Sequence, residues 1–524
     1  MRVDKRIEVV IVTLLYFTCL WLWSLPFQDN ELPYGEVDAA SHFAVADYTT
    51  QTDKSITTLP YYIDKRYGKD NSFKNHVLWY APPYHMAFSI AQIIGGERIL
   101  PVFLVNAIFS SLVFLSVYFI MRKFFGFVPA LLSGFMLMFS MRDIMVYLWG
   151  QWPERMGFAY IPLVLYCFYR YVQSFLDKKE KPVYLYILVI LLSANFFIHP
   201  MTFLHIVVSL VLLFVFTLIK ERKIFFNYKH VLVSILIFLA IISIFPYQTM
   251  NVVVRLMPGG DPSPADPNAG NFARLFFWSK GMSAGGSVPD SYFSYKDMIG
   301  DYWTILLLLA GLIFILFRRN QKDVVLLAWL SGLYIMVHLD VLGQGGRVHR
   351  SLSATAHIFY PLIVIGLWYL LSYSKYFKQY QSYIKYGLIV VFAALIVFSN
   401  GNAAYLQLKG AYSGVLRMTP YQADASAWVK ENLPRDSNVY SFGALTQAKS
   451  RWMWMISDTY LQYIRSFSEE SLDNYTHVLL DYSDRVIIND QDTTGSMQSW
   501  EQENLAGDTL LYDKGYIKVY KLEN

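Results

Sequence analysis

Apolar residues in this chain fall into blocks, and most blocks are long enough to cross a hydrocarbon layer, which takes about 20 residues of helix. Eleven can be marked: 7–25, 98–121, 127–146, 156–175, 183–198, 201–219, 230–250, 302–317, 324–340, 354–373 and 384–400. Some, such as "LIVIGLWYLLSYS" from Leu362 to Ser374, fit only with tilt or with Trp and Tyr at the interface. Three longer polar regions interrupt the pattern, at 27–97, 251–301 and 405–524. The first block sits where a secretory signal would, but it is too long and lacks a small-residue cleavage site, so it reads as a retained helix. The pattern predicts an α-helical polytopic membrane protein with about 11 transmembrane helices.

Composition agrees. The chain is 55% hydrophobic and only 16% charged, with a mean hydropathy of +0.33, too apolar for an ordinary soluble protein. The net charge of +5 is explained by where the cations lie. Alternate loops ("MRVDKR", "RKFFGF", "LDKKEKP", "KERKIFFNYKH", "RRNQKD" and "SKYFKQYQSYIK") hold eighteen Lys and Arg against five acids. The opposite short loops and helix ends hold only Arg142, Arg155, Arg347 and Arg350. This bias predicts a cytoplasmic N-terminus and an extracytoplasmic tail, and it removes nucleic acid as an explanation of the charge. Cys19 and Cys167 lie inside predicted helices and form neither a metal pattern nor a disulfide framework.

The chain thus divides into a membrane domain, 1–404, with outer loops 27–97 and 251–301, and a tail, 405–524. The tail predicts a small α/β domain. "TPYQADASAWVKENLP" has helical spacing, while "SNVYSF", "THVLLDY" and "LLYDKGYIKVYKL" read as strands, the last with a Lys-Gly hairpin turn. It carries no Gly-rich phosphate loop, nucleophile elbow or metal spacing, which suits a capping or acceptor-guiding role. Asp481, Asp484 and Arg485 read as a solvated strand end.

Chemistry-bearing residues collect at outer helix ends. "GEVDAASHFAVADY" places Glu36, Asp38, His42 and Asp47 just after the first span. Asp38 and His42 share a helix face one turn apart. Asp38 reads either as the N-cap of that helix or as a general base or metal ligand, with Glu36 as its acidic neighbour. Two carboxylates so close can share a divalent cation, Mg²⁺ or Mn²⁺. Asp47 reads as helix surface. "NHVLWYAPPYHMAFSIAQIIGG" predicts a short interfacial helix whose His76 and His85 meet headgroups, contact a phosphate or complete the acidic site. In "MRDIMVYLWGQWPERMGF", Arg142, Asp143, Glu154 and Arg155 form either internal Arg–carboxylate pairs or, through Glu154 and Arg155, part of a substrate site. His199 in "FFIHPMTF" is equally open. "GQGGRVHRSLSATAHIFYP" places Arg347, His349 and Arg350 after three glycines, which suits a phosphate or, alternatively, arginines reaching headgroups. His357 reads as a hydrogen-bonding group within the bundle. A transporter would put ionisable groups near the membrane midplane; here they gather at the surface.

This layout resembles the GT-C superfamily of membrane glycosyltransferases, such as oligosaccharyltransferase catalytic subunits and protein O-mannosyltransferases. The resemblance rests on "GEVDAASHF", "LWYAPPYHM", "YLWGQWPERMGFAYIPLVL", "FIHPMTFLHIVV", "GGRVHR" and the tail opening "ASAWVKENLPRDSNVYSF". It implies a polyprenyl-phosphate- or -diphosphate-linked sugar donor and a glycan, lipid or protein acceptor. It also implies that Asp38 acts on the acceptor nucleophile or coordinates metal, with Arg347 and Arg350 holding the donor phosphate. The Trp-Trp-Asp-Tyr-Gly tail motif of oligosaccharyltransferases is absent from the sequence, which argues against asparagine-linked en bloc transfer. A flippase or a non-catalytic assembly scaffold would carry the same layout, as would a polymerase or ligase of lipid-linked glycans.

Overall fold

A computed structural model describes residues 4–52, 82–222, 224–256, 302–338, 352–372, 380–411, 416–434, 436–443, 447–463, 472–483, 487–488, 491–492 and 494–523. The helices are α1 (Lys5–Gln28), α2 (Val37–Thr52), α3 (Pro82–Gly95), α4 (Leu100–Phe125), α5 (Phe127–Met138), α6 (Met141–Trp149), α7 (Trp152–Phe158), α8 (Tyr160–Leu176), α9 (Val183–Ile198), α10 (Pro200–Glu221), α11 (Tyr228–Ile242), α12 (Pro246–Leu256), α13 (Tyr302–Arg318), α14 (Gln321–Val337), α15 (Thr355–Ser372), α16 (Gln381–Ile396) and α17 (Asn402–Lys409) in the bundle. The tail adds α18 (Pro420–Asn432), α19 (Gln447–Ser457) and α20 (Thr494–Asn504).

Each of the eleven apolar blocks contains a helix, but few of the helices are straight, full-length spans. Among the described residues, five helices are long and apolar enough to cross a membrane, and a sixth span forms if α5 and α6 count as one. These two meet at 48°. The bend follows Ser140, whose hydroxyl caps α6 by accepting from the Asp143 amide. Helices α9, α11 and α13 are apolar but shorter. The outer flank of α1 leaves Ile7, Val9, Val10, Leu14 and Phe17 more than half exposed, as a lipid-facing surface must be.

Small residues set the closest crossings, because lipid chains remove the hydrophobic drive between helices and leave contact packing to do the work. A methyl on Gly311 of α13 would stand 2.0 Å from the Leu362 carbonyl oxygen, and one on Gly366 of α15 2.0 Å from that of Leu307. Gly332 meets Ser209, and Gly157 meets Thr202, in the same way.

The tail forms β1 (Asn438–Gly443), β2 (Tyr460–Tyr463), β3 (His477–Asp481), β4 (Ile487–Ile488), β5 (Gln491–Asp492), β6 (Thr509–Lys514) and β7 (Ile517–Lys521). Five of them make one sheet in the order β2-β1-β3-β7-β6. β1 runs parallel to β2 and β3, while β7 pairs antiparallel with β3 and β6. The hairpin turn has Gly515 at φ +67, the left-handed conformation that favours glycine. Thr419 and Gln422 close a capping box at the start of α18. Alternation on the strands gives the sheet two buried faces. Val439 and Leu479 join the apolar core of the bundle, which continues without a break into the tail, while Tyr440, Val478 and Leu480 pack on α20 through Met497. Asp481 is not a solvated strand end: it is fully buried, accepts from Gln422 Nε2 at 2.7 Å and from the Ser483 amide at 2.8 Å. Asp484 and Arg485 lie outside the described residues. Both cysteines are buried and unpaired.

Candidate active site

The acidic stretch after α1 is held by the tail before it becomes a helix. Residues 33–35 run against 416–418: the Gly35 amide donates to the Leu416 carbonyl and the Met418 amide to the Pro33 carbonyl, at 2.9 and 3.0 Å. Arg417 donates to the carbonyls of Asn30 and Leu32, and also to that of Pro26. Gly35, at φ +115, then turns the chain into α2. The Glu36 carbonyl accepts from the Ala39 and Ala40 amides, so the cap position belongs to Glu36 and not to Asp38. Asp38 sits inside the first turn, half-buried. The Glu36 carboxyl is pushed above its usual range, first by burial and then by the negative charge of Asp38.

His42, one turn beyond Asp38, is buried, and its Nδ1 lies 2.9 Å from Nε2 of His85 on α3. His85 is completely buried, so it meets His42 and not a headgroup. Pro82 at the start of α3 and Gly96 after its end, at φ +70, frame that short helix as the sequence predicts. Phe43, Val45 and Ala46 face the bundle interior. Asp47 is not helix surface. It is buried, bound in a two-pronged ion pair by Arg98 at 2.6 and 3.0 Å, and accepts from Gln92 at 3.2 Å. Burying a carboxylate demands such partners.

The turn from α6 to α7 packs on the first turn of α2. Gly150, left-handed at φ +90, brings its Cα so close that an added methyl would lie 2.2 Å from the Ala39 amide nitrogen. Trp152, the first residue of α7, stands 6.4 Å from the His42 ring and donates its indole N–H to the Tyr147 carbonyl. Two residues on, Glu154 is buried with His199 Nε2 at 3.9 Å. Arg155 forms an ion pair with Asp143 and stacks its guanidinium 3.9 Å over the Trp23 ring. Asp143 also holds His357 Nε2 at 2.7 Å and the Ser140 hydroxyl at 2.6 Å. Asp143 and Arg155 thus make the internal pair, His357 is the bundle hydrogen-bonding group its context suggested, and Glu154 lies against His199. Arg347, His349, Arg350 and His76 lie outside the described residues.

Sequence reasoning missed the third wall. Helix α19 of the tail packs along α2. Arg451, 5% exposed, donates from Nη1 to the Ser41 hydroxyl at 3.1 Å, and the Trp452 indole N–H donates to the Gly35 carbonyl at 3.1 Å. Lys449 is also buried. Further along, Arg98 links Asp47 to the Met455 carbonyl at 2.8 Å and to Asp458 at 3.5 Å. One signal was available: "WMWMI" sets five large apolar residues in a row, more than one exposed helix face can carry.

The arrangement is a carboxylate pair at one end of the bundle, with a histidine pair behind it and buried cations beside it. Among the described residues no group of three or more His, Cys, Asp or Glu side chains gathers as a metal site. Glu36 and Asp38 offer a cation two carboxylates.

The profile of the Family of unknown function (DUF6541) matches residues 4–439. No curated protein sequence matches the chain. Solved structures do. The apo form of ArnT from Cupriavidus metallidurans is 10% identical, with a TM-score of 0.57, covering 98% of this chain and 97% of that one. ArnT bound to undecaprenyl phosphate gives 11% and 0.54, with 97% of each chain covered. The oligosaccharyltransferase of Archaeoglobus fulgidus is 13% identical with a TM-score of 0.56, over 87% of this chain and 64% of that one. This chain therefore spans under two thirds of the archaeal protein's length. At such identities the likeness shows the fold, and the fold is GT-C-like.

Proposed function

From a chain that belongs to the DUF6541 family, of unknown function, and has a GT-C-like fold, we propose a membrane glycosyltransferase that moves a sugar from a polyprenyl-phosphate-linked donor to an acceptor on the extracytoplasmic face. The observation that carries this reading is the Glu36–Asp38 pair, set on the first turn of α2 and clamped there by Gly150, Arg451 and Trp452. Solved structures of similar fold contain undecaprenyl phosphate, and dolichol phosphate with an inhibitory peptide, which supports a lipid-linked donor. The Lys and Arg bias of the loops supports the orientation.

In the proposed reaction Asp38 takes the proton of the acceptor hydroxyl. The acceptor oxygen forms a bond to the anomeric carbon, the bond from that carbon to the phosphate oxygen breaks, and its electron pair leaves with the lipid phosphate. Arg347 and Arg350 meet the charge that develops there. In the alternative role, Asp38 with Glu36 would hold a divalent cation, which would supply Lewis-acid chemistry at that phosphate. His42, with His85 behind it, steadies the face of α2 that carries Asp38.

The test is transfer of labelled sugar from synthetic polyprenyl-phosphate donors in proteoliposomes. Wild-type protein is expected to transfer, and an Asp38→Asn variant that folds normally to lose at least a hundredfold in rate. Undiminished transfer by that variant would remove Asp38 from the chemistry. Lipid movement across the bilayer without sugar transfer would favour a flippase.

A further inference from the structure

The tail is more than a cap. We infer that Arg451 is a positioning residue of the candidate active site, fixing through Ser41 the first turn of α2 that carries Asp38. The inference rests on the transferase reading for its kinetic consequence, but its structural content stands apart from it.

The argument begins with geometry. Ser41 and Asp38 are three residues apart on one helix and therefore neighbours on its surface. Ser41 is wholly buried, and Arg451 nearly so, and their bond of 3.1 Å joins residues 410 apart in sequence. One residue on, Trp452 is fully buried and holds the Gly35 carbonyl, the last carbonyl before the turn into α2. These two tail residues thus hold α2 at its entry and one turn in. The far end is held separately, where Arg98 ties Asp47 to the Met455 carbonyl. Helix α19 is therefore tied to α2 near its start through Arg451 and Trp452, and toward its far end by way of Arg98.

The chemistry of the residue type matters. A guanidinium is a planar fork that stays charged and loses little freedom per bond it makes, so it fixes a partner better than a flexible ammonium does. Burying that charge is costly, and a fold that needed only a lid could have used an apolar residue there. Reaction rates depend on sub-ångström placement of the base, and a shift of about 1 Å can cost about a hundredfold. A residue that sets the turn bearing the base acts on kcat without touching the donor.

The experiment uses the full chain, purified in detergent and reconstituted, with Arg451→Gln, Arg451→Lys and Ser41→Ala. Hydrogen exchange read by mass spectrometry should show the amides of residues 36–42 losing at least tenfold protection in Arg451→Gln, while α4 and α15 are unchanged. In transfer assays with a polyprenyl-phosphate sugar donor, kcat should fall at least tenfold, the donor KM should stay within twofold, and Arg451→Lys should recover most of the loss. Unchanged exchange over 36–42 overturns the inference, whatever the activity. If Arg451→Gln loosens the whole bundle, Ser41→Ala decides: local loss at 36–42 supports the inference and none overturns it. If the wild-type chain transfers no sugar, the transferase reading fails, and the exchange data still decide the role of Arg451.

Discussion

Gly150 and Ala39 touch backbone to backbone: a methyl on Gly150 would stand 2.2 Å from the Ala39 amide nitrogen and 2.4 Å from its Cβ. That contact seats the first turn of α2 on the elbow between α6 and α7. Gly150 is also in the left-handed region, where any side chain adds about 1–2 kcal/mol of strain. Gly150→Ala is expected to lower the thermal midpoint by several degrees and to reduce sugar transfer at least a hundredfold. Fluorescence-detected unfolding in detergent and the proteoliposome assay check the two halves.

The 2.9 Å contact between His42 and His85 makes them one hydrogen-bonded unit, in which one ring must donate and the other accept. His42→Asn and His85→Asn are each expected to slow transfer about tenfold, and the double variant to be no slower than the worse single. A double-mutant cycle on kcat measures this coupling. Additive losses would mean that the pair does not act together.

Asp143 carries the inner network of Arg155, His357 and Ser140. Breaking a buried ion pair by neutralising one partner costs about 3–5 kcal/mol, because the other charge stays buried and unmatched. Asp143→Asn should therefore be among the most destabilising polar substitutions in the bundle. Thermal unfolding in detergent checks it, with an exposed change such as Glu503→Gln as the reference.

The tail should weaken in acid. Burial alone would raise the Glu501 carboxyl, but hydrogen bonds from Lys518, Tyr482 and Tyr520 outweigh it and hold the group below its ordinary 4.5. A carboxyl depressed in the folded state adds stability above its unfolded value, and that stability is lost as the pH falls through the folded value. Protection of the β6–β7 hairpin and α20 should thus decline below about pH 4.5. Glu501→Gln should flatten that dependence, as hydrogen exchange measured against pH would show.

Much of the architecture is legible in the chain because hydrophobic periodicity is local. Each apolar block holds a helix, and β1, β3 and the β6–β7 hairpin lie where alternation and Lys514-Gly515 indicate, while β2 of the same sheet does not stand out in the sequence. The acid cluster is legible too, since charge beside a membrane span needs a reason. Partnerships across the fold are not. Nothing near Asp47 announces Arg98, and nothing near Asp481 announces Gln422, so both carboxylates read as surface when they are buried. Whether Asp38 caps α2 turned on where the helix starts, a matter of two residues. Arg451 was hidden most deeply, because its partner lies 410 positions earlier.

That separation has a consequence for synthesis. Residues 35–42 leave the ribosome early, but the segment that pins their entry spans 416–418, and the helix that locks them carries Arg451 and Trp452. A nascent chain can insert its helices one after another and still lack a set active-site turn until translation is nearly finished. A message cut short before codon 451 therefore yields a membrane protein with most of its bundle and an unset Asp38.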